Sequence, residues 1–186
     1  MEVHPVTPER WDDLVALFGH SGACSGCWCM WWRITAREFD DNGNKGNRAA
    51  MRKLVGSGAV PGLLAYIDGA PVGWVSVGPR EDFGRIERSP TFKRVDDTAV
   101  WSINCFFIHR RHRGDGIGRA LLAAAIEHAR SNGAPAVEAY PVDPSRGRVT
   151  AAELYTGNLP TFERLGFHIV ARKSKKRPLV RLTFDR

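Results

Sequence analysis

Two periods alternate along the chain. A short apolar alternation at residues 3–6 predicts a first strand, and the following Thr7-Pro8-Glu9 predicts a helix through Phe18, with Thr7 as cap and Pro8 at the tolerated first position. Residues 19–32 follow no period and read as irregular. A polar loop is expected at residues 40–46 and a short helix at residues 47–55, stopped by Gly56-Ser57-Gly58. The apolar runs at residues 62–67 and 72–77 flank Asp68-Gly69-Ala70-Pro71, the pattern of a tight hairpin. After a polar loop at residues 80–97 comes an apolar, aromatic-rich run at residues 100–108, which predicts a buried strand. Ile117, Leu121, Leu122, Ala125 and Ile126 then recur at helical spacing until Ser131-Asn132-Gly133. A strand at residues 136–140, a loop with Pro141, Asp143 and Pro144, a short helix at residues 160–165 and a hairpin of residues 168–171 with 179–184 complete an α+β pattern without internal repeats.

The junction between the buried strand and the long helix is the most specific stretch. It reads Arg111-His112-Arg113-Gly114-Asp115-Gly116-Ile117-Gly118-Arg119. A helix start offers free N–H groups and the positive end of the dipole, and glycines let a bulky anion approach the backbone. Phosphate is the natural ligand of such a turn. A Walker loop would need Gly-Lys-Ser/Thr and a dinucleotide fold would need G-x-G-x-x-G; neither spacing occurs here.

Composition narrows the partners. With 186 residues and 43% hydrophobic content, the chain supports one core and one domain over 1–186. Neither a basic-then-apolar start nor an apolar run of about 18 residues is present, so a cytoplasmic protein without a membrane partner is expected. Four cysteines, Cys24, Cys27, Cys29 and Cys105, are too few and too uneven for a disulfide framework. The C-x-x-C-x-C spacing lacks a second ligand pair, even with His20 or Cys105 as a fourth group, so no metal is expected. The net charge of +7 suits an anionic partner without distinguishing nucleic acid from a small polyphosphate. Arg110, Arg111, Arg113 and Arg119 surround the glycine turn. Arg172, Lys173, Lys175, Lys176 and Arg177 fall between the last two alternating segments and read as a solvated hairpin loop.

The segment Arg113-Gly114-Asp115-Gly116-Ile117-Gly118 resembles the acetyl-CoA motif of the GNAT N-acetyltransferase superfamily, Arg/Gln-x-x-Gly-x-Gly/Ala, and Phe162-Glu163-Arg164-Leu165-Gly166-Phe167 resembles the family's Tyr-Glu-Lys-x-Gly-Phe block. The resemblance makes residues 62–167 the core, residues 1–60 a variable acceptor-side segment and residues 168–186 a terminal hairpin. It implies a mixed central sheet, splayed at the CoA site, with helices on both faces. It also implies acetyl-CoA as co-substrate and direct acyl transfer to the primary amine of a small molecule. The backbone from Arg113 to Arg119, through Gly114, Asp115, Gly116, Ile117 and Gly118, would hold the diphosphate. Phe106, Phe107 and Ile108 would meet pantetheine through the main chain, with an N–H near Phe107 or Ile108 polarising the thioester carbonyl.

Two departures from the family pattern matter. Asn104, with Ser102 two residues earlier, stands where a strand carboxylate is common, and Phe162 replaces the tyrosine that protonates the leaving thiolate. Tyr155 and Tyr140 are the candidate replacement hydroxyls. Glu138 is the expected base or water-positioner, with Tyr140 as a pocket group, unless Glu138 is merely solvated and Tyr140 half-buried core. Trp28, Trp31 and Trp32 would roof the acceptor pocket by stacking or cation–π contact, or simply pack. Two other functions fit the same resemblance: a catalytically idle acyl-CoA-binding module, and an enzyme that acetylates aminoacyl-tRNA. A nucleic acid partner is not expected. Dimers are common in the family, but no self-complementary surface is legible.

Overall fold

The computed structural model describes residues 1–184; the last two positions of the hairpin expected at 168–186 lie outside the described residues. The elements are β1 (Glu2–Pro5), α1 (Trp11–Phe18), α2 (Ala36–Gly56), β2 (Gly62–Ile67), β3 (Ala70–Pro79), α3 (Gly84–Glu87), β4 (Trp101–Ile108), α4 (Ile117–Ser131), β5 (Ala136–Ala139), α5 (Leu159–Glu163), β6 (His168–Ala171) and β7 (Leu179–Thr183). The strands form one mixed sheet in the order β1-β2-β3-β4-β5-β7-β6. Helix α4 buries Ile117, Leu121, Leu122, Ala125 and Ala129 against one face, on Val75, Ile103 and Val137. Helices α1 and α2 cover the other face through Leu14, Phe18, Met51 and Val55, on Leu64 and Trp74.

The β2–β3 turn follows its sequence directly. Asp68 and Gly69 both take left-handed φ, 49° and 77°, as the two central positions of a two-residue hairpin turn require. Elsewhere the pattern misleads. The stretch expected as a polar loop at residues 40–46 lies within α2, which opens with a reciprocal capping box between Thr35 and Glu38 and breaks its helical geometry only at Gly43. Amphipathic pairing of buried Asn47, Met51 and Val55 carries the helix through a polar sequence. At α1 the expected Thr7 cap is not made: a 3-10 turn at Pro8–Arg10 intervenes, and the Thr7 side chain makes no capping bond.

Strands β4 and β5 run parallel and pair over only three positions, Trp101 with Val137, Ser102 with Glu138 and Ile103 with Ala139. Beyond Ile103 they part. At that point β4 also carries a bulge: Ser76 pairs with Cys105 and Val77 with Ile103, leaving Asn104 as the extra residue. The 3-10 segment Ala151–Thr156 packs beside the freed end of β4, and the chain returns through a bridge of Val142 with Asn158.

A buried ion network locks the closed end of the gap. Arg80, fully buried, donates to Glu87 at 2.5 Å, to Glu138 at 2.5 Å and to the Phe92 carbonyl. Arg181 donates to Glu138 at 2.7 and 3.0 Å and to Asp96 at 2.5 and 3.1 Å. The network fastens the connection at residues 80–97, expected only as a polar loop, to the β5–β7 pair. Removing one member of a buried pair strands the other charge and costs about 3–5 kcal/mol. Glu138→Ala is therefore expected to lower the melting temperature by roughly 6–20 °C in a chain of this size; a shift of about a degree would show that the network is not holding the sheet.

Candidate active site

A cleft of about 500 Å³ opens where β4 and β5 part. One wall is the outer end of β4, Phe106, Phe107 and Ile108. The floor is the glycine turn and the start of α4, and the opposite wall is the 151–162 segment with Tyr155 and Phe162. Ala23 and Cys24 complete the lining. No Asp or Glu lines the cleft among the described residues.

The glycine turn is shaped for an anion. Gly116 is the N-cap of α4 with left-handed φ of 78°, and a Cβ built there meets nothing within 4 Å. Main-chain N–H groups at residues 114–118 have no main-chain acceptor, whereas Arg119 and Ala120 already donate to the Gly116 carbonyl. Five free amides at the positive end of a 15-residue helix can embrace a diphosphate. The Arg113 side chain donates to the Ile108 carbonyl at 3.2 Å, which ties the turn to the strand end. Arg113, Gly114, Gly118 and Arg119 line the cleft with Phe106, Phe107 and Ile108, so the residues expected to hold the diphosphate and pantetheine adjoin. Asp115 is exposed, and its carboxylate lies 3.9 Å from His112.

The proposed catalytic groups fall elsewhere. Glu138 is fully buried, its Oε2 accepting from Arg80 and its Oε1 twice from Arg181, and it does not line the cleft, so its charge is spent inside the fold. Tyr140 is also sealed: its hydroxyl pairs with Ser102 at 3.0 Å, its ring lies against Phe92 with centroids 4.6 Å apart, and burial pushes its phenol well above the ordinary range. Ser102, expected near substrate, belongs to that internal pair. These three sit beneath the gap, because a one-residue bulge and early divergence of the strands put the cleft beyond their register. Asn104 is fully buried at the bulge, and neither its amide nitrogen nor its oxygen has a partner.

The tyrosine that does face the cleft is Tyr155. Burial raises its phenol pKa, partly offset by the Arg177 guanidinium, whose centre is 5.3 Å from the ring centroid. Gly157 sits next in the wall with φ of 79°; a Cβ there would stand 2.6 Å from Phe162, so glycine lets the wall approach the ring at the usual tyrosine position. The wall is fastened by the basic 172–177 segment. That segment is only partly a solvated loop: Lys173 and Lys175 are exposed, but Arg172 donates to Asp143 at 2.8 Å, Lys176 to Glu153 at 3.1 Å, and Arg177 to Thr156 and to the Glu153 carbonyl. The acidic partners, spaced far away in sequence, gave no local signal.

The three tryptophans divide between packing and surface. Trp28 is core, stacked on Trp11, edge-on to Phe18 and donating to Asn44 Oδ1 at 2.6 Å. Trp32 stacks on Tyr155 with centroids 6.4 Å apart and so backs the cleft wall. Trp31 is 38% exposed and pairs with Phe39 and with the Arg85 guanidinium. Their segment is irregular because Ala23, Ser25, Trp28 and Cys29 all take positive φ, a costly backbone fixed by Trp28–Asn44 and by Asn47 donating to the Gly26 carbonyl. Cys29 Sγ accepts from Trp74 Nε1 at 3.2 Å. A thiol hydrogen bond from Cys105 holds Cys29 below the ordinary thiol range and pushes Cys105 up, while burial raises Cys27 to about 11. Among the described residues no group of three or more His, Cys, Asp or Glu is arranged to hold a metal ion.

Residues 28–167 match the model of the acetyltransferase (GNAT) family, and the chain belongs to that family; it is an acyltransferase. No curated protein matches it by sequence. Its fold is similar to PaiA N-acetyltransferase from Thermoplasma acidophilum in complex with coenzyme A, at 11% identity over 98% of each chain and a TM-score of 0.53. It is also similar to yncA from Salmonella typhimurium with acetyl-CoA, at 17% identity over 100% of this chain and 95% of that one, TM-score 0.54. A third is ribosomal-protein-alanine N-acetyltransferase from Brucella melitensis, at 20% identity over 99% and 100%, TM-score 0.53. At such identities the likeness shows the fold.

The cleft wall carries a pH dependence. Glu153 accepts from Thr150 and Lys176, and these bonds lower its pKa from 4.5 to about 2. A depressed carboxylate stabilises the fold above its unfolded pKa and ceases to as pH falls through the folded value. The stability difference between wild type and Glu153→Gln, measured by denaturant titration, is therefore expected at full size above about pH 4.5 and should vanish toward about pH 2. A pH-independent difference would assign Glu153 a packing role instead.

Proposed function

We propose that the protein is an N-acetyltransferase that binds acetyl-CoA in the β4–β5 cleft and acetylates the primary amine of a small molecule. The observation that carries this reading is the row of free amides at residues 114–118, ending beside the unpaired edge of β4. Acetyl-CoA would supply the acyl group as a thioester. The amides and Arg113 would hold the diphosphate, and the open edge of β4 from Phe106 to Ile108 would bond pantetheine as an added strand. An N–H at Phe107 or Ile108 would then donate to the developing oxyanion.

Proton handling differs from the family's common pattern. Since no carboxylate lines the cleft among the described residues, the ammonium loses its proton to water. Tyr155, the tyrosine in the cleft wall, protonates the departing thiolate in place of the phenol lost at Phe162. Its raised pKa keeps the proton available across neutral pH. Neither alternative function gains support: three of the five basic side chains at 172–177, Arg172, Lys176 and Arg177, are engaged in internal pairs, and family membership speaks for catalysis over idle binding.

Gly116→Trp places an indole where the diphosphate would lie. It should weaken CoA binding by calorimetry at least about 100-fold while lowering the melting temperature by only a few degrees, because strain at one left-handed residue costs about 1–2 kcal/mol. Unchanged CoA affinity would contradict the assignment. Tyr155→Phe should reduce kcat about tenfold, less than the roughly 100-fold or more a general acid usually contributes because a thiolate leaves readily, with CoA affinity retained. An unaltered kcat would remove Tyr155 from the chemistry.

A further inference from the structure

Resting on the acetyltransferase reading, we infer that the acceptor carries a carboxylate as well as its amine, and that Arg85 with the Trp32 indole N–H forms the site for it. The basis is an uncompensated guanidinium. Arg80 and Arg181 are paired with carboxylates, and Arg33 has Asp82 at 3.7 Å and the Pro61 carbonyl at 3.3 Å. Arg85 has no carboxylate among the described residues, and its Nε and Nη2 are buried without any acceptor. Trp32 Nε1 is a third buried donor without a partner, and Arg33 Nε a fourth.

Leaving such groups sealed without an acceptor costs about 1–3 kcal/mol each, more when charged. All four are N–H donors, so what completes them is an oxygen bearing lone pairs and negative charge. Nε and Nη2 form the side edge of a guanidinium, the edge that a planar carboxylate meets with two parallel hydrogen bonds.

The set is held rigidly and in the right place. Arg85 N donates to the Trp32 carbonyl at 3.1 Å, which fastens α3 to the tryptophan segment. The Arg85 guanidinium lies over Trp31, its centre 3.8 Å from the ring centroid, a contact that holds the group while its edge stays unused. Trp32 stacks on Tyr155, and the Arg85 charge lies close enough to act on the Tyr155 phenol. Trp32 thus stands directly behind the proposed acid in the cleft wall, with Arg85 fastened to it. Since no acidic side chain lines that cleft among the described residues, an incoming carboxylate meets no like charge from them. The substrate class is an amino acid or another amino carboxylic acid.

The test is thiol release from acetyl-CoA with amino acids paired against their own carboxamides. Acids are expected to exceed amides at least tenfold in kcat/KM, chiefly through KM. Arg85→Gln should bring the ratio close to one, and Arg85→Lys, which keeps the charge but loses the two-point edge, should fall between. Melting and CoA affinity check that both variants are folded. Equal kinetics for acids and amides, a ratio untouched by Arg85→Gln, or a preference for phosphate-bearing amines would overturn the inference. If no amine releases thiol, the acetyltransferase reading fails separately, and calorimetry of amino acids on the CoA-loaded protein still decides this one: binding weakened tenfold or more by Arg85→Gln supports it, and no binding to wild type refutes it.

Discussion

The early parting of β4 and β5 is the constraint on which the rest depends. Two parallel strands share three residue pairs and then separate, exposing the edge of β4 from Phe106 to Ile108 within the middle of a sheet. An open edge in a sheet interior would ordinarily invite another strand. Here the gap is held from both sides. The Arg80–Glu138–Arg181 network braces its closed end, and the 151–156 segment, fastened by Glu153, Lys176 and Arg177, stands across its mouth. A cleft results without any need for an independent second domain.

The same division explains which polar residues can act. Charges at the closed end are consumed in pairing: Glu138 belongs to the scaffold although it sits on the strand next to the gap. Unfilled valences remain in the amides at 114–118, in Asn104 at the bulge and in the Trp32–Arg85 set. Polar groups left without partners are the ones still open to a ligand.

Much of the architecture was legible in sequence because the β2–β3 turn, the β4 run and the α4 periodicity each state their structure locally. The glycine turn was legible for the same reason: helix-start chemistry needs only neighbouring residues. Glu138, Tyr140 and Ser102 were misplaced because alternation says which face a residue takes but not where a strand leaves its partner, and β4 leaves β5 only after Ile103. The basic 172–177 segment misled for a related reason, its partners Asp143 and Glu153 lying far away in the chain. Arg85 drew no notice, since a missing counter-ion is visible only once every neighbour is placed.

The central claim is that the amides at residues 114–118 receive a diphosphate while the β4 edge receives the pantetheine chain. Amide hydrogen exchange followed residue by residue, with and without CoA, tests it most directly. The account predicts strong slowing at residues 114–118 and at 106–108 on adding CoA, with the β1–β2 amides unchanged. Saturating CoA that leaves the 114–118 amides exchanging as before would contradict it.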